Sequence, residues 1–287
     1  MPGTFFNMLR SCLSALLLCC PALHAQPAER IITLTPHITE LVYAIGAGDH
    51  IIATDDASDW PPQVKQLPHV ANYQSINTEA LLALKPDLVI VWGFSQKRLL
   101  ASLERFKIPV LTLASNHLDD LPQELRLLGQ KSGHVAESKQ IASQIEYELQ
   151  KLKNAYSNKP KVRLFYQVWP QPLMSVAKGS WIQDAITLCG GDNPFANMPI
   201  PYPQISEEAV VAANPQLIVG SDSAALTRWQ KWPSLAAVQN HQLHRLQSPT
   251  LNRLTPRIIE GIYELCQKID HSRNQGNVRP LANKNES

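Results

Sequence analysis

The feature that most constrains this chain is one long amphipathic segment near its middle, residues 135–156. Apolar side chains recur there with the period of an α-helix that has a single buried stripe. The stripe consists of Ile141, Ile145, Leu149, Leu152 and Tyr156. A helix of this length would reach roughly 33 Å, about the width of one domain. We interpret it as a rigid connection between two lobes; the alternative is an ordinary long helix inside one domain.

The segments on either side of this helix resemble each other. Residues 79–91 (EALLALKPDLVIV) align with residues 208–220 (EAVVAANPQLIVG), and a glutamate, two alanines, a proline and a leucine coincide in register. On both sides short helical patterns alternate with apolar strands, which is typical of a parallel or mixed α/β sheet. The sequence therefore predicts two similar α/β lobes joined by one backbone helix.

The boundaries of these parts follow from composition. Arg10, an apolar run and a small-residue stop at Ala25 are typical of a cleaved secretory signal peptide. The last stretch is polar and aperiodic, as in a disordered tail. The predicted parts are a signal peptide (1–25), an N-terminal lobe (29–131), a linking helix (132–158), a C-terminal lobe (160–270) and a disordered tail (271–287). A formal charge of +2 without a basic run argues against a nucleic-acid-binding surface.

Cysteine usage agrees with export. Three of the five cysteines precede the predicted cleavage site, so the mature chain keeps only Cys189 and Cys266. Two thiols in an exported protein are expected to form one disulfide; two separate buried thiols are the alternative.

The predicted cleft is rich in aromatic residues. In open parallel sheets, ligands bind beyond the carboxyl ends of the strands, and two facing lobes would place those ends around a shared cleft. Such a lining suits a large, flat, partly apolar ligand. The candidate ligand contacts are Trp60, Tyr73, Trp92, Trp169, Tyr202, Thr250 and Arg253. For Trp92 and Trp169, core packing is the alternative; for Tyr202, which lies between two prolines, core packing is not expected.

Catalytic signatures are absent from the sequence. It contains no G-x-S-x-G, H-E-x-x-H, P-loop or G-x-G-x-x-G motif, which favours a binding protein over an enzyme such as a secreted metal-dependent hydrolase. A zinc site built from distant His and Glu side chains remains an alternative. His37 could ligate a metal centre at the cleft or have a surface or capping role.

Glu79 and Glu208 occupy matching positions in the repeat. Each would open its lobe's repeated helix, where the helix dipole favours a carboxylate. That local role is one interpretation. The other is that two acidic points on paired lobes dock onto basic residues of a two-fold membrane partner.

Several segments resemble one known family, the periplasmic vitamin B12-binding proteins of ABC importers. The matching segments are RIITLTPHITELVYAIGAG, SDWPPQ, NTEALLALKPDLVIVW, LCGGDNPF, YPQISEEAVVAANPQLIV and TPRII. The resemblance spans residues 29–270 and implies the class III periplasmic binding fold, also used by haem and ferric-siderophore receptors, the alternative ligand classes. It implies a periplasmic monomer without catalytic residues, cofactor or resident metal, with an inner-membrane permease and its ATPase as partners.

The resemblance also assigns roles to individual residues. It implies that Glu79 and Glu208 dock onto the permease and that Cys189 pairs with Cys266. Tyr73, Trp92, Trp169 and Tyr202 match or adjoin aromatic cleft positions, and Arg253 matches a cleft arginine. The chain departs from the family pattern where a cleft tyrosine is replaced by Ala57 and an Asp-Trp pair by Pro249-Thr250; Trp60 or Trp169 could restore the lost stacking surface.

Overall fold

The computed structural model describes residues 26–93, 97–247 and 249–276. The predicted signal peptide lies outside these residues. The strands are β1 (Ile31–Thr33), β2 (Ile51–Asp55), β3 (His69–Ala71), β4 (Leu88–Trp92), β5 (Val110–Leu113), β6 (Val162–Gln167), β7 (Trp169–Pro170), β8 (Leu173–Met174), β9 (Gly191–Asp192), β10 (Leu217–Gly220) and β11 (Leu243–Arg245). The α-helices are α1 (Pro36–Ala44), α2 (Thr78–Ala83), α3 (Lys97–Arg105), α4 (Leu121–Ser132), α5 (Val135–Tyr156), α6 (Trp181–Leu188), α7 (Glu207–Ala213), α8 (Ser223–Leu226), α9 (Ala236–Gln239) and α10 (Ile258–Gly276).

Each lobe is built on a parallel sheet. The N-terminal sheet has the strand order β3-β2-β1-β4-β5, and the C-terminal sheet has the order β11-β10-β6-β9. Read from β5, the first order β5-β4-β1-β2 corresponds strand by strand to β11-β10-β6-β9. Strand β3 has no counterpart in the C-terminal sheet. All neighbouring pairs in both sheets are parallel, so the carboxyl ends of the strands in each sheet lie along one edge. The predicted two-lobe α/β architecture is confirmed.

The two copies of the predicted repeat make equivalent hydrogen bonds, each with an arginine near the start of the neighbouring strand. In the first copy, the amide of Arg30 donates to Asp87 (2.9 Å), and the Arg30 guanidinium donates to the carbonyl of Leu84 (2.6 Å). In the second copy, the amide of Arg163 donates to the Gln216 side chain (3.0 Å), and its guanidinium reaches the carbonyl of residue 213 (3.5 Å). The helix-ending residues, Lys85 and Asn214, both adopt positive φ, at 49° and 44°.

The long helix α5 packs against elements of both lobes. Its most extensive contact is with α4 of the N-terminal lobe, and it also contacts α6 and α10 of the C-terminal lobe. The buried side chains of its predicted stripe, Ile145, Leu149 and Leu152, join a core cluster that contains residues of both sheets. The interpretation of α5 as a connection between lobes is therefore confirmed.

Alternation along the strands divides each sheet between two cores. Ile31 of β1 and Ile90 of β4 face the central cluster, whereas Ile32 faces a separate cluster beneath α2 and α3. The C-terminal sheet repeats this arrangement, because Leu164 faces the central cluster and Phe165 faces an outer one. This is the period-two burial expected of a sheet covered on both faces.

The predicted disulfide is confirmed. Cys189, at the end of α6, is bonded to Cys266 in α10, and both residues are fully buried. The bond therefore joins two helices that pack on the same face of the C-terminal sheet.

The chain end differs from the prediction. A disordered tail was expected from residue 271, but α10 continues to Gly276. The continuation is packed because Arg273 is 7% exposed and donates to the carbonyl of Pro160 (2.7 Å). The tail prediction is therefore wrong for residues 271–276, and residues 277–287 lie outside the described part. No helix in the described residues combines the length and apolarity needed to cross a bilayer.

Candidate ligand cleft

A cavity of about 290 Å³ lies where the two lobes meet. Its N-terminal wall is formed by α1 and the loop after β2, and its C-terminal wall by the segment between β11 and α10. The lining residues are Glu40, Asp59, Trp60, Thr250, Asn252, Arg253 and Arg257. Three of the predicted ligand contacts, Trp60, Thr250 and Arg253, are among them; Thr250 is 5% exposed and contributes little surface.

A network of small hydroxyl side chains fixes the loop that carries Asp59 and Trp60. Ser58 donates to the Asp55 carboxylate (2.5 Å) and is bonded to Thr39 and Thr54 (both 2.9 Å). All four of these residues are buried. Because buried polar groups are stable only when they are paired, the network ties this loop to β2 and α1.

An ion cluster joins the two lobes across the cavity. Arg253 Nη1 donates to Glu40 Oε1 and to Asp59 Oδ1, both at 2.6 Å. Burial disfavours the charged guanidinium, but the bonds to Asp59 and Glu40 outweigh it and raise the pKa of Arg253. The same bond from Arg253 is the main cause of a lowered pKa at Asp59.

Trp60 is held by a cation on one of its faces. The guanidinium carbon of Arg257 lies 4.1 Å from the centroid of the indole ring, within cation–π distance. The Trp60 residue is still 43% exposed. The pairing with Arg257 therefore orients the ring while leaving it accessible from the cleft.

Trp92 lies at the carboxyl end of β4 beside His37. The two rings meet edge to face with their centroids 5.5 Å apart. Burial, and next the charge of Arg253, lower the pKa of His37 to about 4, so the imidazole is neutral at neutral pH. His37 lies in the first turn of α1 and is half-buried.

The remaining predicted contacts are not among the residues that line the cavity. Tyr73 is 92% exposed in a turn held by the Asn72 side chain. Trp169 is 57% exposed and its indole donates to the carbonyl of Gln171 (3.0 Å). The exposure of Trp169 and Trp92 (36%) excludes the core alternative for both. Tyr202 is half-buried and packs against the edge of the central core without being one of its buried residues.

Of the charged residues of the cleft, Arg253 was predicted from the sequence, whereas Glu40, Asp59 and Arg257 were not among the predicted ligand contacts. Glu40, Asp59 and Arg257 lie within segments that carry the family resemblance, but the Glu40–Arg253 pair is separated by 213 positions. A local pattern does not reveal such a pair. The available signals were the position of Asp59 after a predicted strand and of Arg257 beside the matched arginine.

Glu79 and Glu208 occupy equivalent exposed positions. Each is the second residue of its helix, after a side-chain N-cap: Asn77 accepts from the amide of residue 80 (3.0 Å) and Ser206 from that of residue 209 (3.1 Å). Neither glutamate forms an ion pair within the described part of the chain. Glu207, in contrast, is paired with cations, and a hydrogen bond from Lys231 is the main cause of its lowered pKa of about 2.

No group of three or more His, Cys, Asp or Glu side chains among the described residues is arranged to hold a metal ion. The cleft instead combines accessible aromatic rings with guanidinium and carboxylate groups. This is a surface for contact and hydrogen bonding with a ligand.

Comparison with known proteins gives a consistent result. Residues 31–250 match the periplasmic binding protein family. The chain is 38% identical over 252 residues to a vitamin B12-binding protein of Vibrio cholerae, covering 86% of this chain and 91% of that protein. It is 36% identical over 273 residues to a vitamin B12-binding protein of Yersinia pestis, covering 94% and 96% of the two chains.

Solved structures agree with the sequence matches. The periplasmic vitamin B12-binding protein BtuF of Vibrio cholerae superposes with a TM-score of 0.79 at 37% identity, covering 86% of this chain and 98% of that one. A periplasmic haem-binding protein of Pseudomonas aeruginosa has a TM-score of 0.73 at 24% identity, covering 84% and 92%, a likeness of fold alone. The chain therefore belongs to the periplasmic binding protein family, in which the vitamin B12-binding proteins are among its relatives.

Proposed function

We propose that this protein captures cobalamin or a related corrinoid in the cleft between its lobes and delivers it to an inner-membrane ABC importer. The observation that carries the proposal is the 38% identity with a vitamin B12-binding protein along nearly the whole of both chains. The cleft supports it, because Trp60 offers an accessible ring beside the hydrogen-bonding groups of Arg253 and Asn252. A broad, amide-rich macrocycle requires both kinds of contact.

The protein acts by binding and performs no chemistry on its ligand. The ligand is its only small-molecule partner, and there is no cofactor. The signal peptide at residues 1–25 exports the chain and is cleaved, and the mature protein works as a periplasmic monomer. Tyr73, Trp169 and Tyr202 extend the ligand surface from the cavity toward the rim of the cleft.

Docking to the permease is assigned to Glu79 and Glu208. Both are exposed at the starts of equivalent helices, one in each lobe. Two matching carboxylates suit a membrane partner with two equivalent basic patches. Their position on the helices leaves the cleft free for the ligand.

Calorimetric titration of the purified mature protein tests the ligand. We expect saturable one-to-one binding of cyanocobalamin and much weaker binding of haemin and of a ferric hydroxamate siderophore. Preferential binding of haemin or of the siderophore would replace cobalamin by that ligand class. Binding of none of the three would refute the proposed ligand.

A further inference from the structure

One buried carboxylate of the N-terminal lobe is hydrogen-bonded by side chains of the C-terminal lobe. The side chain of Glu40, in α1, is only 4% exposed. Glu40 Oε1 accepts from Arg253 Nη1 (2.6 Å), and Glu40 Oε2 accepts from Thr255 Oγ1 (3.2 Å) and lies 3.5 Å from Arg257 Nη1. These three donors are more than 200 positions away along the chain.

This arrangement makes the separation of the lobes costly. If they moved apart at the cleft, Glu40 would lose its hydrogen bonds and ion pair together. A carboxylate in a poorly hydrated position without donors is strongly unfavourable. Water would have to enter the site to replace the lost partners, so small lobe movements are opposed as well.

The two donors that contact Glu40 through guanidinium groups also shape the ligand surface. Arg253 holds Asp59 at the cavity wall, and Arg257 lies against the Trp60 ring. The position of Glu40 therefore affects the ring and both arginines at once, although Glu40 itself offers almost no surface to a ligand.

We propose that Glu40 is a positioning residue that anchors the C-terminal lobe at the cleft and holds Arg253 and Arg257 in their ligand-binding arrangement. The lobes are joined on a second side by Asp184 of α6, which accepts from His117 Nδ1 (2.9 Å) and from the amide of Leu118 (3.2 Å). Asp184 belongs to α6, which also contacts α5. Together with α5, the Glu40 anchor makes the cleft largely preformed.

Asp59 provides a matched control within the same cluster. It accepts from the same Arg253 nitrogen at the same distance of 2.6 Å, but its side chain is 54% exposed. Water can replace Arg253 at Asp59 and cannot readily do so at Glu40. We therefore expect Glu40→Gln to loosen the contact between the lobes strongly and Asp59→Asn to loosen it only slightly.

Inter-lobe distances test the anchor without any ligand. Spin labels at Glu104→Cys in α3 and Gln239→Cys in α9, both exposed positions, report the distance between lobes in the disulfide-bonded protein by pulsed electron resonance. We expect a narrow distribution in the parent and in Asp59→Asn, and a clearly broader one in Glu40→Gln. A distribution in Glu40→Gln as narrow as in the parent would overturn the proposal.

Ligand affinity is the second measurement, and it rests on the proposed function. If Glu40→Gln leaves only about a tenth of the molecules competent to bind, the apparent Kd for cyanocobalamin rises about tenfold. Asp59→Asn is the control for the distance measurement alone, because Asp59 lines the cavity and its replacement can change ligand contacts directly. If the parent itself does not bind cyanocobalamin, the proposed function fails while the distance measurement still decides the anchor.

Thr255→Val is a second variant in case Glu40→Gln does not fold. It keeps the shape of the side chain and both arginines but removes the hydroxyl that donates to Glu40 Oε2. We expect intermediate broadening of the distance distribution and a rise of about threefold in the apparent Kd, a fraction of the full loss. A parent-like distribution in a folded Thr255→Val protein would contradict the anchor.

Discussion

Trp60 combines a fixed orientation with an accessible ring, which is what a stacking contact requires. Arg257 lies against the indole and the buried hydroxyl network holds the loop beneath it. The ring is thus ordered before a ligand arrives, and less conformational entropy is lost on binding. At the scale of single residues, this preorganisation singles out Trp60 among the exposed aromatics.

We predict that Trp60→Ala weakens cyanocobalamin binding by about 10- to 100-fold, because a central aromatic contact is typically worth about 1.5–3 kcal/mol. Titration calorimetry measures the change. Tyr147→Ala is the matched control, since Tyr147 is an exposed aromatic (65%) on α5 and should leave affinity unchanged. Equal affinity in Trp60→Ala and the parent would remove Trp60 from the ligand site.

His37 gives the cleft a pH-dependent stability. Its pKa falls from an ordinary 6.5 to about 4 in the folded protein. Between these pH values the unfolded state binds more protons than the folded state. The contribution of His37 to the free energy of unfolding is therefore complete above pH 6.5 and is lost as the pH falls toward 4. The difference corresponds to about 3 kcal/mol at most.

We predict that His37→Gln flattens the fall in the free energy of unfolding between pH 7 and pH 4.5, measured by urea denaturation. His69→Gln is the control, because His69 is an exposed histidine on β3 and its replacement should leave the pH dependence as in the parent. A parent-like slope in His37→Gln would show that the imidazole protonates in the folded state as readily as in the unfolded one.

At the scale of elements, α4 and α5 approach each other unusually closely. A Cβ atom added at Gly129 of α4 would lie 1.9 Å from Ser138 Oγ and 2.7 Å from the carbonyl oxygen of His134. The second contact is with backbone, which a rotamer change cannot relieve. The glycine is therefore required by the packing of the two helices.

We predict that Gly129→Ala destabilises the protein by about 1–3 kcal/mol through overpacking, although alanine is the better helix former by about 1 kcal/mol. Gln130→Ala, at the exposed neighbouring position, should be nearly neutral. Chemical denaturation of both variants measures the difference. A stabilised Gly129→Ala protein would mean that α4 shifts away from α5 without cost.

Gly129 illustrates why some elements could be predicted from the sequence and others could not. The long helix, its stripe and strands such as Leu88–Trp92 were predictable because their apolar period is uninterrupted. The helix α4 was not predicted, because Gly129 breaks the helical pattern there for a reason that lies in another helix. The Glu40–Arg253 pair was missed for the same kind of reason, because only the assembled fold brings its members together.

The disulfide ties the two helices that close the C-terminal lobe. It links residues 77 positions apart, and a loop of that length confines the unfolded chain substantially. We predict that Cys189→Ala with Cys266→Ala lowers the free energy of unfolding by about 2–5 kcal/mol. Thiol labelling of the unreduced mature parent should find no free cysteine; a labelled cysteine would show that the bond does not form.

At the scale of the whole molecule, the proposed function assigns separate tasks to the cleft and to the repeated helix starts. The carboxyl edges of both sheets meet at the cleft, while the exposed starts of α2 and α7 present one glutamate from each lobe. A change at the helix starts should therefore affect a membrane partner without altering ligand binding. The ion-paired neighbour Glu207 is unsuited to docking, because Arg228 and Lys231 already satisfy it.

We predict that Glu79→Ala combined with Glu208→Ala leaves cyanocobalamin affinity within about twofold and abolishes uptake, because paired charge contacts dominate recognition between complementary surfaces. Uptake of labelled cobalamin by cells that lack their own binding protein measures the effect. Glu104→Ala combined with Glu137→Ala, two exposed glutamates outside the repeat, controls for the change in net charge. An equal loss of affinity in the first double variant would place Glu79 and Glu208 in the ligand site, and undiminished uptake would exclude them from docking.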